Sequence, residues 1–303
     1  MGKLGSFYRT LATNVYVQFF GSLASILGFF WIIYDRFSPS HHDILELIIS
    51  LIAGFIFFGI NIYSVRVRQE NDALKRAAFT VHNINHHYRD TLCQMFGGKQ
   101  PINDPKVLIT QEQQTLELVC AHIARIYNSL IHADCMVTVK VIYRDDAGKL
   151  YCGTHARSEA RSDRDRPPSF YKINEGLNTA FDQALLYTAG GFSHYYSADL
   201  LEEFKENRYR NQRDNWSHFY KSAIVVPIRY LNPERIGMSD ASDDIGFLCV
   251  DTKATHKLNN DFHVAYLAAF ADQMYNFISL MRGKYSVTRV TPPVGPETSA
   301  SPT

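Results

Sequence analysis

The sequence predicts an α+β protein: an antiparallel sheet packed by helices, preceded by two transmembrane helices and a connecting coiled helix. Three observations predict it. Two uncharged runs of about twenty residues open the chain, each long enough to cross a hydrocarbon core. A long charged stretch without proline or glycine follows. Beyond it, segments of alternating apolar residues lie between two stretches of helical periodicity.

The first run, residues 15–34 (VYVQFFGSLASILGFFWIIY), contains no charge, and neither does the second, residues 47–65 (LIISLIAGFIFFGINIYSV). A signal peptide explains the first poorly, since it lacks a small-residue cleavage site and a second run follows. The loop between them, 35–46, is short, so the two spans form an antiparallel hairpin. Lys3 and Arg9 precede the hairpin, and Arg66, Arg68, Lys75 and Arg76 follow it, whereas the loop holds only Arg36 beside Asp35 and Asp43. The positive-inside rule then places residues 1–14 and everything after residue 65 in the cytoplasm, in a multi-pass protein of the cell inner membrane. Trp31, Tyr34 and Tyr63 stand near span ends, where interfacial aromatics belong. Gly21, Ser25 and Gly28 form one small-residue stripe, and Ser50 and Gly54 another; Gln18 and Asn61 fall at similar depth. These features either pack the hairpin or support oligomerisation.

Residues 66–98 read as the connecting helix. Leu74, Ala78, Val81, Tyr88, Leu92 and Met95 recur at steps of three, four or seven. That pattern suits a dimeric coiled coil or a helix lying on its own domain. His82, His86 and Asp90 share one face, with His87 and Arg89 alongside. Two histidines at i, i+4 can ligate zinc, but a straight helix cannot wrap three ligands eight residues apart around one ion. A polar face or protein contact surface is the plainer reading. Gly97, Gly98 and KQPINDP mark the domain boundary.

In the rest of the chain, Gln111 to Ile131 reads as a helix with Leu116, Val119, Ile123, Ile126, Tyr127 and Leu130 on one face. In DCMVTVKVIYR, Cys135, Val137, Val139 and Val141 alternate against Thr138 and Lys140, as in a strand with one buried face. DDAGK is a hairpin turn and LYCGTHAR the partner strand. A short helix follows around Asn178 to Tyr187, then an irregular aromatic stretch. Lys221 to Tyr230 and Asp244 to Asp251 are two more strands, and Asn259 to about Met281 is a closing helix. The final segment, 286–303, is rich in proline and small residues and is expected to be disordered.

Composition narrows the function. The 303 residues allow one ordinary domain plus extras. A formal charge of +1 gives no global attraction to a nucleic acid polymer. The cysteines Cys93, Cys120, Cys135, Cys152 and Cys249 have no paired spacing, so reduced thiols fit better than a disulfide or zinc framework. There is no nucleophile elbow, P-loop or HExxH motif. Asp251 and Asp261, with His256 and His263, read as a helix-capping neighbourhood. Neither enzymatic activity, nor a metal, nor a cofactor is expected.

SAIVVPIRYL, DDIGFLCVDT and NNDFHVAYLAAFADQMYNFI together resemble the C-terminal half of a GAF domain. Pro227, Gly246 and the final helix carry the resemblance. The helix at 111–131 and the hairpin at 134–157 match the N-terminal half by order and pattern, so the GAF-like region spans 107–282. The resemblance implies a small-molecule sensor, an interaction module or a dimerisation unit. An NKFDE-like constellation and a phytochrome-like chromophore cysteine cannot be placed; Cys152 and Cys249 read as packing residues.

A GAF-like arrangement puts a pocket between one sheet face and the crossover, here residues 190–220. Candidate ligand-binding residues are Phe192, His194, Tyr196, Arg208, Arg210, Arg213, Trp216 and Phe219, since aromatics beside arginines can stack a base and pair phosphates. Arg157, Arg161, Arg164 and Arg166 can add a basic lip. The plainer alternative has the arginines facing solvent and the aromatics filling a core. The function expected is a membrane-anchored cytoplasmic sensor that binds a small ligand, such as a nucleotide, or a partner, and signals through the helix to the hairpins. One alternative is a nucleotide-activated, membrane-disrupting anti-phage effector; another is a non-sensing dimerisation scaffold. The expected partners are the lipid bilayer and a second copy of the chain, in a homo-oligomer.

Overall fold

The computed structural model describes residues 44–97, 104–159, 170–186, 193–231 and 242–283, together with 21, 28, 31 and 34. Most of the first predicted span, residues 35–43 of the hairpin loop, Phe192, Arg161, Arg164, Arg166 and the 286–303 tail lie outside the described residues. The chain divides into two compact units, Met1–Ala78 and Phe79–Thr303.

Helix α1, Ile44–Phe96, begins in the first unit and ends in the second. The second predicted span and the connecting helix are therefore one element. In the first unit, Ile52, Phe55, Ile56, Phe58, Ile62, Tyr63 and Val65 expose their side chains; Phe55 is 74% exposed. Among the described residues no helix is long and apolar enough to cross a membrane. These two observations pull apart, because the 47–65 run is helical and uncharged.

The second unit is built on a six-stranded sheet. Its strands are β1 (Cys135–Arg144), β2 (Leu150–Arg157), β3 (Phe170–Lys172), β4 (Tyr195–Ser197), β5 (Ser222–Leu231) and β6 (Ser242–Thr252). The order is β3-β2-β1-β6-β5-β4, and every neighbouring pair is antiparallel. Strands β1 and β6 are thus central. Helices α2 (Pro105–Ile131) and α5 (Phe262–Arg282) cover one face, α2 over β1 and β2 and α5 over β5 and β6. The short helix α3 (Thr179–Leu185) precedes the crossover, and the short helix α4 (Leu200–Lys205) lies within it.

Helix α2 starts earlier than its apolar periodicity indicates. Asp104 caps it, accepting from the Lys106 amide at 2.9 Å, and Pro105 takes the first position, where a missing N–H costs nothing. Asn259 caps α5 from two residues before the formal boundary, accepting from the amides of Asp261 (2.8 Å) and Phe262 (3.0 Å). Tyr127 ties the two helices together by donating to the His263 carbonyl at 2.6 Å. The buried Glu112 joins α2 to β2, its carboxylate 3.1 Å from His155 Nε2.

Residues 79–96 of α1 lie on their own domain. Tyr88 stacks on Phe277 with ring centroids 4.7 Å apart, His87 stacks on His122, and the Thr91 and Thr115 hydroxyls are 3.2 Å apart. Ile84 and Met95 are fully buried. The part of the seam around Tyr88 and Met95 docks on the domain. The mechanism is ordinary burial of an amphipathic stripe, at roughly 25 cal/mol per Å² of apolar surface.

Gly246 fixes how closely the central strands approach. It stands opposite Val141 on β1 and beside the register shift at Ile228/Arg229 on β5. A Cβ placed there would lie 1.9 Å from the Lys140 carbonyl oxygen. No side chain fits that gap, so the glycine is required by space rather than by backbone angle.

Candidate functional site

Strand β1 differs from its expected pattern in an informative way. Thr138, on the face opposite Val137 and Val139, is only 6% exposed, so the strand is covered on both sides. The crossover supplies the second cover, through an apolar cluster containing Phe181, Tyr195, Leu200, Tyr209, Trp216, Val225 and Phe247. Between this cover and the sheet lies a cavity of about 90 Å³. Its floor includes Thr138, Lys140, Thr154, Cys249 and Asp251, and its walls include Tyr171, Asn178, Phe181, Asn211, Arg213 and Tyr220.

Sheet register assembles the floor. Thr138 pairs with Cys249 on β6, and Lys140 pairs with Thr154 on β2. The Lys140 ammonium donates to Thr154 Oγ1 at 3.1 Å and sits 4.5 Å from the centre of the Tyr171 ring. Arg157 donates to the same hydroxyl at 3.2 Å. Across the cavity, Asn211 Nδ2 donates to the phenolic oxygens of Tyr209 and Tyr220, at 2.7 Å each. The crossover is fastened to the start of α3 by two bonds. Arg210 N donates to Thr179 Oγ1 at 2.8 Å, and Thr179 N donates to the Arg210 carbonyl at 3.1 Å.

The titrating groups here favour neutral phenols and thiols. Burial pushes Tyr209 up to about 12 and Tyr220 well above its ordinary value. Burial likewise raises Cys152 to about 12 and lifts Cys249. A buried thiol held protonated is a poor nucleophile. The charged lining is three cations (Lys140, Arg157 and Arg213) against one carboxylate, Asp251. Asn178 is 1% exposed, and its Nδ2 has no hydrogen-bond partner.

The candidate residues from the sequence are placed in several ways. Arg213 lines the cavity; its guanidinium stacks 3.9 Å from the centre of the Phe219 ring, and its Nε donates to Asn215 at 2.9 Å. Phe219 lines a second hollow with Asp134, Glu159 and Asp251. Trp216 is buried behind the wall, edge-on to Tyr209 at 4.9 Å. His194 and Tyr196 instead reach the segment before α5, through Asn260 Oδ1 (3.0 Å) and the Leu258 carbonyl (2.9 Å). Arg208 is exposed and pairs with Glu206, and Arg210 is exposed, using its backbone to hold Thr179. Phe192 lies outside the described residues. Sequence reasoning missed Lys140, Thr154, Asn178 and Asn211. The available signal was polar alternation (Thr138, Lys140) on a strand that the sheet order makes central.

On α1, His82 and His86 approach Nε2 to Nε2 at 2.9 Å, and Arg89 lies 2.6 Å from His86 Nδ1 while also pairing with Asp90. The Arg89 hydrogen bond lowers the Asp90 pKa. Arg89 can only donate, so Nδ1 of His86 accepts and its Nε2 carries the proton shared with His82. Among the described residues no group of three His, Cys, Asp or Glu side chains is placed to hold a metal ion.

The chain is similar to several proteins of known structure, GAF domains among them. One match is residues 122 to 287 of a methyl-accepting chemotaxis protein, at 14% identity and a TM-score of 0.39, covering 59% of this chain and 99% of that one. Another is the GAF domain of a phosphoenolpyruvate-protein phosphotransferase from Coxiella burnetii, at 15% identity and a TM-score of 0.38, covering 61% and 98%. A third is the GAF domain region of a putative membrane protein from Geobacter sulfurreducens PCA, at 12% identity and a TM-score of 0.37, covering 57% and 98%. No family model matches the sequence, and no curated protein matches it. The GAF-like reading rests on this chain's own strand order, its helix-packed antiparallel sheet and the Pro227 and Gly246 motifs.

Proposed function

We propose that the chain is a membrane-anchored sensor whose GAF-like domain takes a small ligand in the cavity between the sheet and the crossover. The observation that carries this reading is the polar lining of an otherwise apolar cover. Lys140, Thr154, Asn178 and Asn211 gather at one cavity within a cluster that could have been filled with side chains. Of these, Asn178 Nδ2 is buried with no hydrogen-bond partner; a polar group withdrawn from water in that way costs about 1–3 kcal/mol, so it calls for a bound partner. Anchoring is supported by the uncharged 47–65 run and by the exposed apolar side chains of α1 from Ile52 to Val65. Transmission is supported by the 79–96 stretch of α1, which packs on the helices backing the same sheet.

Two measurements test the proposal. Alkaline carbonate washing of membranes expressing the full chain is expected to leave it in the pellet; release into the supernatant would remove the anchor. Thermal denaturation of the full chain in detergent, with and without metabolite extract, is expected to show a saturable rise in Tm. No shift with any extract fraction, and no small molecule released on denaturation, would remove the sensor.

A further inference from the structure

Two side chains at the cavity have N–H donors to spare, one on the sheet and one on the segment that covers it. An ammonium offers three N–H donors; Lys140 uses one on Thr154, and its other neighbours are the rings of Tyr171 and Phe181. No carboxylate pairs with it among the described residues. Asn178 offers two further N–H donors from the crossover side, fully buried and unused. A ligand that satisfies both must bring acceptors. The lining also carries two more positive charges than negative, so the acceptors are best supplied by an anion.

Size and wall chemistry narrow the anion. An apolar cavity of about 150 Å³ holds benzene, which is about 25 Å³ per heavy atom. A cavity of about 90 Å³ then holds roughly four heavy atoms, with one or two more at its mouth. A nucleotide is several times too large for the arrangement observed. Ala180, Phe181, Ala223 and Val225 present hydrocarbon to the same space, which an all-polar phosphate would leave unmatched.

We infer that the ligand is a short-chain carboxylate, its oxyanion on Lys140 and Asn178 and its carbon chain against Phe181 and Val225. This rests on the sensor reading above and gives that ligand a chemical class. Arg157 and Arg213 add positive potential at the same site, while Asp251 disfavours a second carboxylate on its side.

The test uses the full chain in detergent, titrated with propionate, with its neutral isostere propionamide, with inorganic phosphate and with cyclic AMP. Propionate is expected to bind with saturation, and propionamide at least tenfold more weakly. Lys140→Met is expected to weaken propionate at least tenfold and to leave the ligand-free Tm within a few degrees. Lys140→Arg retains part of the binding, and Asn178→Ala weakens it several-fold, which keeps the test open if one variant fails to fold. Equal binding of propionamide, unchanged affinity in both Lys140→Met and Asn178→Ala, or binding of phosphate or cyclic AMP in place of propionate would overturn the carboxylate while leaving the sensor standing. Binding of none of the four probes, with a neutral or nucleotide metabolite released from denatured protein, would do the same. No binding and no released metabolite would overturn both.

Discussion

The two faces of the sheet are built from the same strands yet closed in opposite ways. On the helical face, Val137, Val139 and Val141 meet α2 and α5 in a cover whose largest side chains, Tyr127 and Phe277, are almost completely buried. On the crossover face, the intervening residues of β1 are Thr138 and Lys140, and the cover stands off to leave a polar-lined cavity. The difference teaches where stability and chemistry reside. The helical face is close-packed, so losing a side chain there leaves a void. The crossover face carries groups that the fold alone does not satisfy.

The sharpest way to break this arrangement is at its shared backbone. Gly246→Ala drives a methyl group into the Lys140 carbonyl, and is expected to destabilise the domain by about 4 kcal/mol or more, seen as loss of a folded baseline in chemical denaturation. Next comes the helical face. Phe277→Ala removes the ring that stacks on Tyr88 and is expected to cost about 3–4 kcal/mol. Phe277→Leu should recover most of that loss. The crossover face should behave differently: Lys140→Met changes ligand-free stability by less than about 1 kcal/mol in either direction, because it removes a cation without opening a void. A loss there as large as that of Phe277→Ala would erase the contrast between the faces.

The smallest effect expected is a pH dependence of the helical face. Burial, first among the causes, lowers the pKa of both His122 and His263, and Arg125 and His87 add to the shift at His122. His263 is held neutral as the acceptor for the Asn259 amide. A histidine whose folded pKa is depressed is protonated first in the unfolded chain. Its contribution to stability is therefore complete above the ordinary value near 6.5 and is lost as pH falls through the lower folded value. Tm measured between pH 7.5 and 5.5 should fall, and His263→Gln should flatten that slope.

What could be read from the sequence follows the same division. Elements with one buried face against helices announce themselves by period: α2 through Leu116, Val119 and Ile123, β5 and β6 through their apolar runs, α5 through Phe270 and Phe277. The hairpin turn at Asp145–Lys149 was legible from Gly148, which adopts φ +80°. The crossover was not. Strands β3 and β4 and helix α4 are too short to show a period, and their positions depend on tertiary bonds such as Lys172 N to Gln212 Oε1 and Leu200 N to the Lys221 carbonyl. The cavity could not be read either, because it depends on register. Lys140 faces Thr154 only through the pairing of β1 with β2 after the shift at Val139/Lys140. Arg213 stood out among the crossover arginines only once Phe219 and the cavity were placed around it.

The central claim, that the crossover face holds a ligand, is tested most directly by native mass spectrometry of the full chain released gently from detergent micelles. A small mass increment is expected on the folded protein, absent from denatured chain and lost in Lys140→Met. A folded protein that carries only its own mass, in wild type and variant alike and after incubation with metabolite extract, would contradict it.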